Sequence, residues 1–411
     1  MSAPGGREGG REPAEGSEAL PAEPEDNVTR LDFGKEEAEP QASPEPEVEP
    51  EPDGPSLEAR LTIDLAAIVA NWRALDARSA PEVETAAVLK ADAYGLGAAE
   101  IAPALAAAGA RTFFVALPRE GVALRRVLDQ AGAGDATIYI LGGYFEGDRR
   151  AFEDAMLRPV LNSLEQGEAW FRRGPGGAAA IQLDTGMNRL GMEAPEIAAL
   201  GPLPEPVGLV MSHLACADTP GHDMNAGQRT AFASMAAALP DAGPALPRSL
   251  AATGGTLMGG AYHFDLTRPG IGLFGGLPFR DARPVVRLEA PIVQIREVAT
   301  GEAVGYGASF RARRPTRIAT ISTGYADGLL RAAGGRAQAA LAGRLLPFAG
   351  RVSMDVITLD VTHCPEAAAG AMVELIGPTM PLDTLAEAAG TIGYEILTSL
   401  GPRYRRRYLP A

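Results

Sequence analysis

Between residues 85 and 267 the chain repeats one pattern eight times: a short apolar run, then a stretch with helical spacing. The runs are TAAVL before Lys90, TFFVA at 112–116, TIYIL at 137–141, RPVL at 158–161, AAIQL at 179–183, VGLVMS at 207–212, SLAA at 249–252 and FDLT at 264–267. Between them lie Ala-rich or amphipathic segments such as AAEIAPALAAAG and REGVALRRVLDQAG. Strands that alternate with helices in this way predict an α/β fold, a (β/α)8 TIM barrel, placed here over residues 57–283. An open doubly wound sheet is the alternative. No G-x-G-x-x-G follows the first run, so a dinucleotide crevice has no support.

After residue 283 the texture changes. VRLEAPIVQIREV, EAVGYGASF, TRIATIS, MDVITLDV and AMVELIG are strand-like and separated by Gly and Pro. Residues 284–411 therefore read as a second, mainly β domain. At the other end, residues 1–56 hold 16 acidic and 4 basic residues and 10 of the 34 prolines. That composition cannot bury a core and predicts a disordered acidic tail. The tail carries most of the net charge of −15, which leaves a nearly neutral body and no basic surface for nucleic acid.

No apolar stretch is long enough to span a membrane. The start, MSAPGGREGG, lacks the basic and apolar regions of a secretory signal. Cys216 and Cys364 stand far apart with no metal-binding spacing. A cytoplasmic protein without a metal site is the expectation.

Chemistry is expected where barrel strands end and loops begin. The first strand ends in Lys90. A buried lysine is costly unless its amine snorkels out or is kept neutral as a Schiff-base former. Gly-rich turns follow the seventh and eighth strands: Thr253-Gly254-Gly255-Thr256 and Arg268-Pro269-Gly270-Ile271-Gly272. Backbone N–H groups in those two loops suit a phosphate. A lysine with a phosphate site points to a cofactor that has both an aldehyde and a phosphate, pyridoxal 5′-phosphate (PLP).

AVLKADAYGLG (87–97) closely resembles the PLP-lysine motif of the alanine racemases. DTGMNRLG (184–191), SHLACAD (212–218), RPGIGLFG (268–275), VGYGASF (304–310), TGYADG (323–328), RVSMD (351–355) and GYE (393–395) resemble that family's later motifs, in order. The resemblance implies a barrel with a C-terminal β domain and a homodimer whose active sites use both chains. It implies a two-base interconversion of L- and D-alanine, which supplies D-alanine for peptidoglycan.

Under the resemblance, Lys90 is the PLP lysine and one base, and Tyr306 is the other base, supplied by the partner subunit. Tyr94, Thr253, Gly270 and Ile271 match phosphate-binding positions. Arg268 matches the arginine at the pyridine nitrogen, and His213 a histidine that supports it. Arg189, Tyr325 and Met354 match substrate-binding or entrance positions. Each has a plainer reading: Tyr306 and Tyr325 as half-buried strand tyrosines, Arg189 paired with Asp184, His213 as a core histidine, Met354 as core. The sequence departs from the family in places. Gln182 replaces a lysine that can be carbamylated, and its amide is expected to reach Arg189. Thr253 replaces a serine, and Ala252 an asparagine. Pro402 stands where some members have a phosphate-binding tyrosine. The alternatives weighed are a broad-specificity racemase and a non-catalytic PLP-homeostasis protein, which shares the barrel but lacks the β domain.

Overall fold

The computed structural model describes residues 56–199, 207–239 and 246–411. The acidic tail expected over residues 1–56 lies outside them, apart from Ser56.

Seven parallel strands run in chain order from Ala87–Val88 through Thr112–Val115, Thr137–Ile140, Arg158–Leu161, Ala179–Gln182 and Val207–Met211 to Arg248–Ser249. An eighth strand, Leu266–Thr267, pairs in parallel with Glu84–Thr85. Ala86 N donates to Thr267 O (2.9 Å) and Val88 N to Pro269 O (3.0 Å). On the other side Arg268 N donates to Ala251 O (2.7 Å), which joins the eighth strand to the seventh. The barrel is therefore closed, and each of the eight expected runs supplies a strand. TFFV and AAIQ are buried at every position, as parallel strands covered on both faces must be.

The helix Pro118–Gln130 shows how the outer ring is set. Pro118 sits in its first turn, where a missing N–H costs nothing. Its buried residues Gly121, Leu124, Arg125 and Leu128 follow helical spacing. A Cβ on Gly121 would meet Ile140 Cδ1 at 2.8 Å, so glycine lets the helix press onto the third strand. Arg125, though buried, spends its donors on the carbonyls of Ala155, Gly134 and Ala136.

The second sheet corrects one expectation. Residues 57–283 were expected to belong to the barrel, yet Arg60–Asp64 pairs antiparallel with Val286–Val298 and parallel with Arg405–Leu409. Its alternating burial places Leu61 and Ile63 in the core of that sheet. The sheet continues from Val286–Val298 to Met372–Ile376, Gln338–Leu341 and Arg344–Pro347. Val286–Val298 also pairs with Thr316–Ile321 beyond a register shift between Ile292 and Gln294, so it serves two groups of strands. Among the described residues no helix is long and apolar enough to cross a membrane.

Candidate active site

Lys90 stands at the C-terminal end of the first barrel strand, and the backbone after it is unusual. Ala91, Asp92, Ala93 and Tyr94 have φ of 53°, 55°, 52° and 58°, a full turn of left-handed helix built without glycine. Each such residue is disfavoured by about 1–2 kcal/mol, so the turn persists only where its surroundings over-determine it. Ala91 N donates to Glu120 Oε1 (2.7 Å), Ala98 N to Asp92 Oδ1 (2.8 Å) and Gly97 N to Asp92 O (3.0 Å). Ala93 and Tyr94 are buried.

The turn carries Tyr94 back to the loops after strands seven and eight. Tyr94 packs on Phe274 with ring centroids 4.9 Å apart. A Cβ on Gly270 would fall 2.1 Å from the Tyr94 hydroxyl, so only glycine lets the backbone close there. Thr253 Oγ1 accepts from Gly270 N (3.1 Å) and Gly272 N (3.2 Å), tying the two loops together. The hydroxyl kept at the Thr253 substitution is the group that makes this tie. Thr253, Gly270 and Ile271 are all buried. Two hydroxyls, the first N–H groups of the short turn Thr253–Leu257 and Ile271 N lie at these loops, while Gly270 N and Gly272 N are held by Thr253 Oγ1. This donor set suits a phosphate.

Arg268 is buried beside the cradle, 3% exposed. Its guanidinium donates to Ser249 Oγ and to the Ser212 carbonyl, the latter at 2.6 Å. The support expected of His213 thus comes through the residue before it. Burial pulls the Arg268 pKa down to about 9, which still leaves it protonated at neutral pH. Burial, and then the charges of Arg268, Arg189 and Lys90, push His213 down to about 3. Lys90 is exposed rather than buried, but the surrounding protein still desolvates its amine and lowers its pKa. Arg189 lowers it further, while Glu120 opposes the shift. Lys90, His213, Arg189 and Arg268 therefore share one electrostatic neighbourhood.

Asp184 does not pair with Arg189. Its Oδ1 accepts from Gly186 N (2.8 Å) and Asn188 N (3.1 Å), which shapes the loop and leaves Arg189 exposed. Gln182 also departs from expectation: its Nε2 donates to the Leu190 carbonyl (3.0 Å), and its amide oxygen does not accept from the arginine. An amide that donates to backbone fixes the Arg189 loop without touching the guanidinium.

A second group lies on the β domain. Tyr306 is 72% exposed in the turn Tyr306–Ala308, between Gly305 and Gly307, both at positive φ. Tyr325 and Met354 are exposed as well, so none of the three is a core residue. A cavity of about 430 Å³ is lined by Tyr306, Tyr325, Arg331 and Arg351. Among the described residues no hydrogen bond or ring contact joins this group to Lys90.

Two residues were missed by sequence reasoning. Tyr394, from the GYE motif, lies 5.9 Å from Tyr94 between ring centroids. Burial and the nearby Asp218 and Asp383 push its pKa up. The second tyrosine beside the cradle is thus Tyr394, and no residue near Pro402 takes that place: Tyr404 is engaged with Thr323 Oγ1 (3.1 Å). Glu120 is the other. Its only sequence signal was a glutamate in the first turn of a helix, which is ordinary capping.

Comparison with known proteins fits this geometry. Residues 63–278 match the family model for the alanine racemase N-terminal domain, and residues 285–408 that for the C-terminal domain. The curated alanine racemase of Dinoroseobacter shibae is 55% identical over 352 residues, covering 85% of this chain and 98% of its own. That of Cereibacter sphaeroides is 53% identical over 353 residues, with the same coverage. The crystal structure of alanine racemase from Bartonella henselae with covalently bound pyridoxal phosphate is 39% identical, with a TM-score of 0.79. The match covers 86% of this chain and all of that one. With both domain models matched in order and relatives aligned over nearly their whole length, the chain belongs to the alanine racemase family.

Proposed function

We propose that this protein is a PLP-dependent alanine racemase that interconverts L- and D-alanine and supplies D-alanine for peptidoglycan. The observation that carries the reading is Lys90, at the mouth of a closed barrel, next to a cradle of Tyr94, Thr253, Gly270 and Ile271. That donor set fits a phosphate, Lys90 fits an aldehyde, and Arg268 provides a fixed donor for a ring nitrogen. When bound, PLP supplies the aldehyde for Lys90 and a conjugated ring that delocalises the charge left on the substrate Cα.

The protein's own groups do the rest. Lys90, with its pKa lowered by desolvation and by Arg189, can take or return a proton on one face of Cα. Tyr306 is assigned the opposite face. It is exposed in its own chain and separate from Lys90, which supports a homodimer in which each Tyr306 reaches the partner's barrel. Tyr325 and Met354 share that exposed face and are assigned to the substrate entrance and carboxylate. Arg189, on the loop after the fifth strand, is assigned to the carboxylate as well. Arg268 can only donate, so a ring nitrogen held by it stays unprotonated and the cofactor is a weaker electron sink. His213, neutral over the physiological range, adds no second charge beside Arg268. The two free cysteines accord with a cytoplasmic enzyme.

The test is to add L-alanine to the purified PLP-loaded protein and follow D-alanine by chiral chromatography. Wild type should reach an equal mixture from either enantiomer. Lys90→Ala should form no D-alanine and should retain no cofactor after borohydride reduction and denaturation. Covalent fixation at another lysine, or no D-alanine from the loaded wild type, would sink the reading.

A further inference from the structure

The carboxylate of Glu120 collects three backbone N–H groups. Oε2 accepts from Ala116 N (2.8 Å) and Leu117 N (3.0 Å), and Oε1 from Ala91 N (2.7 Å). The Leu117 bond is what a capping glutamate makes at the start of its own helix. The bond to Ala91 goes beyond capping. It joins the first turn of the helix after the second barrel strand to the residue that follows Lys90, at the entry to the left-handed turn.

That turn needs a tether. Four successive non-glycine residues are held at positive φ, each against the preference of L-residues for other backbone conformations. Packing does not supply the restraint on this side. A cavity of about 480 Å³ lies against the turn, lined by Leu89, Ala91, Asp92, Glu120 and Leu124 among others. Ala91 and Asp92 are exposed, in contrast to the buried Ala93 and Tyr94. The start of the turn, where Lys90 is aimed, is therefore held by hydrogen bonds.

We propose that Glu120 is the positioning residue for Lys90: its bond to Ala91 N locks the left-handed turn and so fixes the direction of the lysine side chain. The proposal rests on the reading of Lys90 as the PLP lysine. Glu120 touches neither substrate nor cofactor and acts through the backbone.

The experiment compares wild-type, Glu120→Gln and Glu120→Asp holoenzymes. Glutamine keeps the length but offers one acceptor oxygen and sets an NH2 against backbone donors. Aspartate keeps the charge but is one methylene shorter. Three quantities are read: the visible circular dichroism of bound PLP, kcat per borohydride-titratable site, and KM for alanine. The expected result for Glu120→Gln is an intact far-UV spectrum, an altered visible dichroism and a kcat per site lower by roughly 10- to 100-fold, with KM unchanged. Glu120→Asp should lie between Gln and wild type, and serves as the reporter if the Gln variant does not fold. Unchanged visible dichroism and unchanged kcat per site, even with a lower Tm, would reduce Glu120 to a helix cap and overturn the proposal. Failure of the underlying functional reading shows separately, as wild type that forms no D-alanine.

Discussion

Arg403 grips Asp327 along a whole edge, with Nε 2.6 Å from Oδ1 and Nη2 2.9 Å from Oδ2. Its remaining Nη1 reaches Asp355 at 2.8 Å. Asp327 closes the Tyr325 turn by accepting from Gly324 N (2.8 Å), and Asp355 follows Met354. Ala326 N also donates to Met354 O (3.0 Å). One guanidinium thus ties together the two loops that carry proposed entrance and substrate residues. Because the grip on Asp327 is bidentate, lysine cannot reproduce it. Arg403→Lys is expected to raise KM for alanine and lower the urea midpoint, and Arg403→Ala to do both more strongly. Steady-state kinetics and equilibrium unfolding check this; a KM equal to wild type in both variants would separate the clamp from the substrate.

His213 supplies a pH prediction. Its folded pKa, about 3, lies below the roughly 6.5 of an unfolded histidine. In that window the unfolded chain binds a proton that the folded chain refuses. Stability is therefore full above about 6.5 and is lost progressively as pH falls toward 3. His213→Gln removes the titration. Urea midpoints measured from pH 7 downward should fall less steeply for the variant than for wild type, by up to one proton's linkage. Parallel slopes would show that His213 is not the group responsible.

Tyr306 tests the shared site. Tyr306→Phe keeps the ring and removes only the proton carrier, so PLP binding should persist while racemisation falls severely. Exchange of the Cα proton should be impaired mainly from one enantiomer. Mixing Tyr306→Phe with Lys90→Ala chains should restore part of the activity, because some mixed dimers pair an intact Lys90 with an intact Tyr306. Recovery of D-alanine formation is the readout, with subunit exchange verified by tagged chains.

A chain that begins at Ser56 should fold, bind PLP and turn over like the full chain. The family models match residues 63–278 and 285–408, and a relative is aligned over 98% of its own length within 352 residues of this chain. Loss of PLP absorbance in the shortened chain would bring the first 55 residues into the active structure.

The barrel was legible because parallel strands buried on both faces leave unmistakable apolar runs, and TFFV and AAIQ each became a strand where expected. Arg60–Asp64 was not legible as part of the second sheet. Its partners lie more than 200 residues away, and a five-residue alternation says nothing of which sheet it joins. Lys90 and the Gly-rich turns at Thr253 and Arg268 drew notice by their place at strand ends, and their assigned roles, like that of Tyr94, came from the resemblance of their motifs to the family's. Glu120 could not: its third bond depends on a left-handed turn that no propensity predicts for Ala91–Tyr94. Gln182 was assigned to a side chain and instead serves a carbonyl, a choice set by where the Leu190 backbone happens to pass.

The placement of Arg60–Asp64 between Val286–Val298 and Arg405–Leu409 sets an order on biosynthesis. This strand leaves the ribosome before the barrel, but its antiparallel partner follows only after all eight barrel strands, and its parallel partner more than 100 residues later still. The barrel can close during synthesis, while the second sheet has to wait for Arg405–Leu409. A nascent or prematurely ended chain would hold Arg60–Asp64 as an unpaired edge, open to the wrong strand. The β domain that carries Tyr306 is therefore finished only once Arg405–Leu409 has been made, after the barrel that carries Lys90.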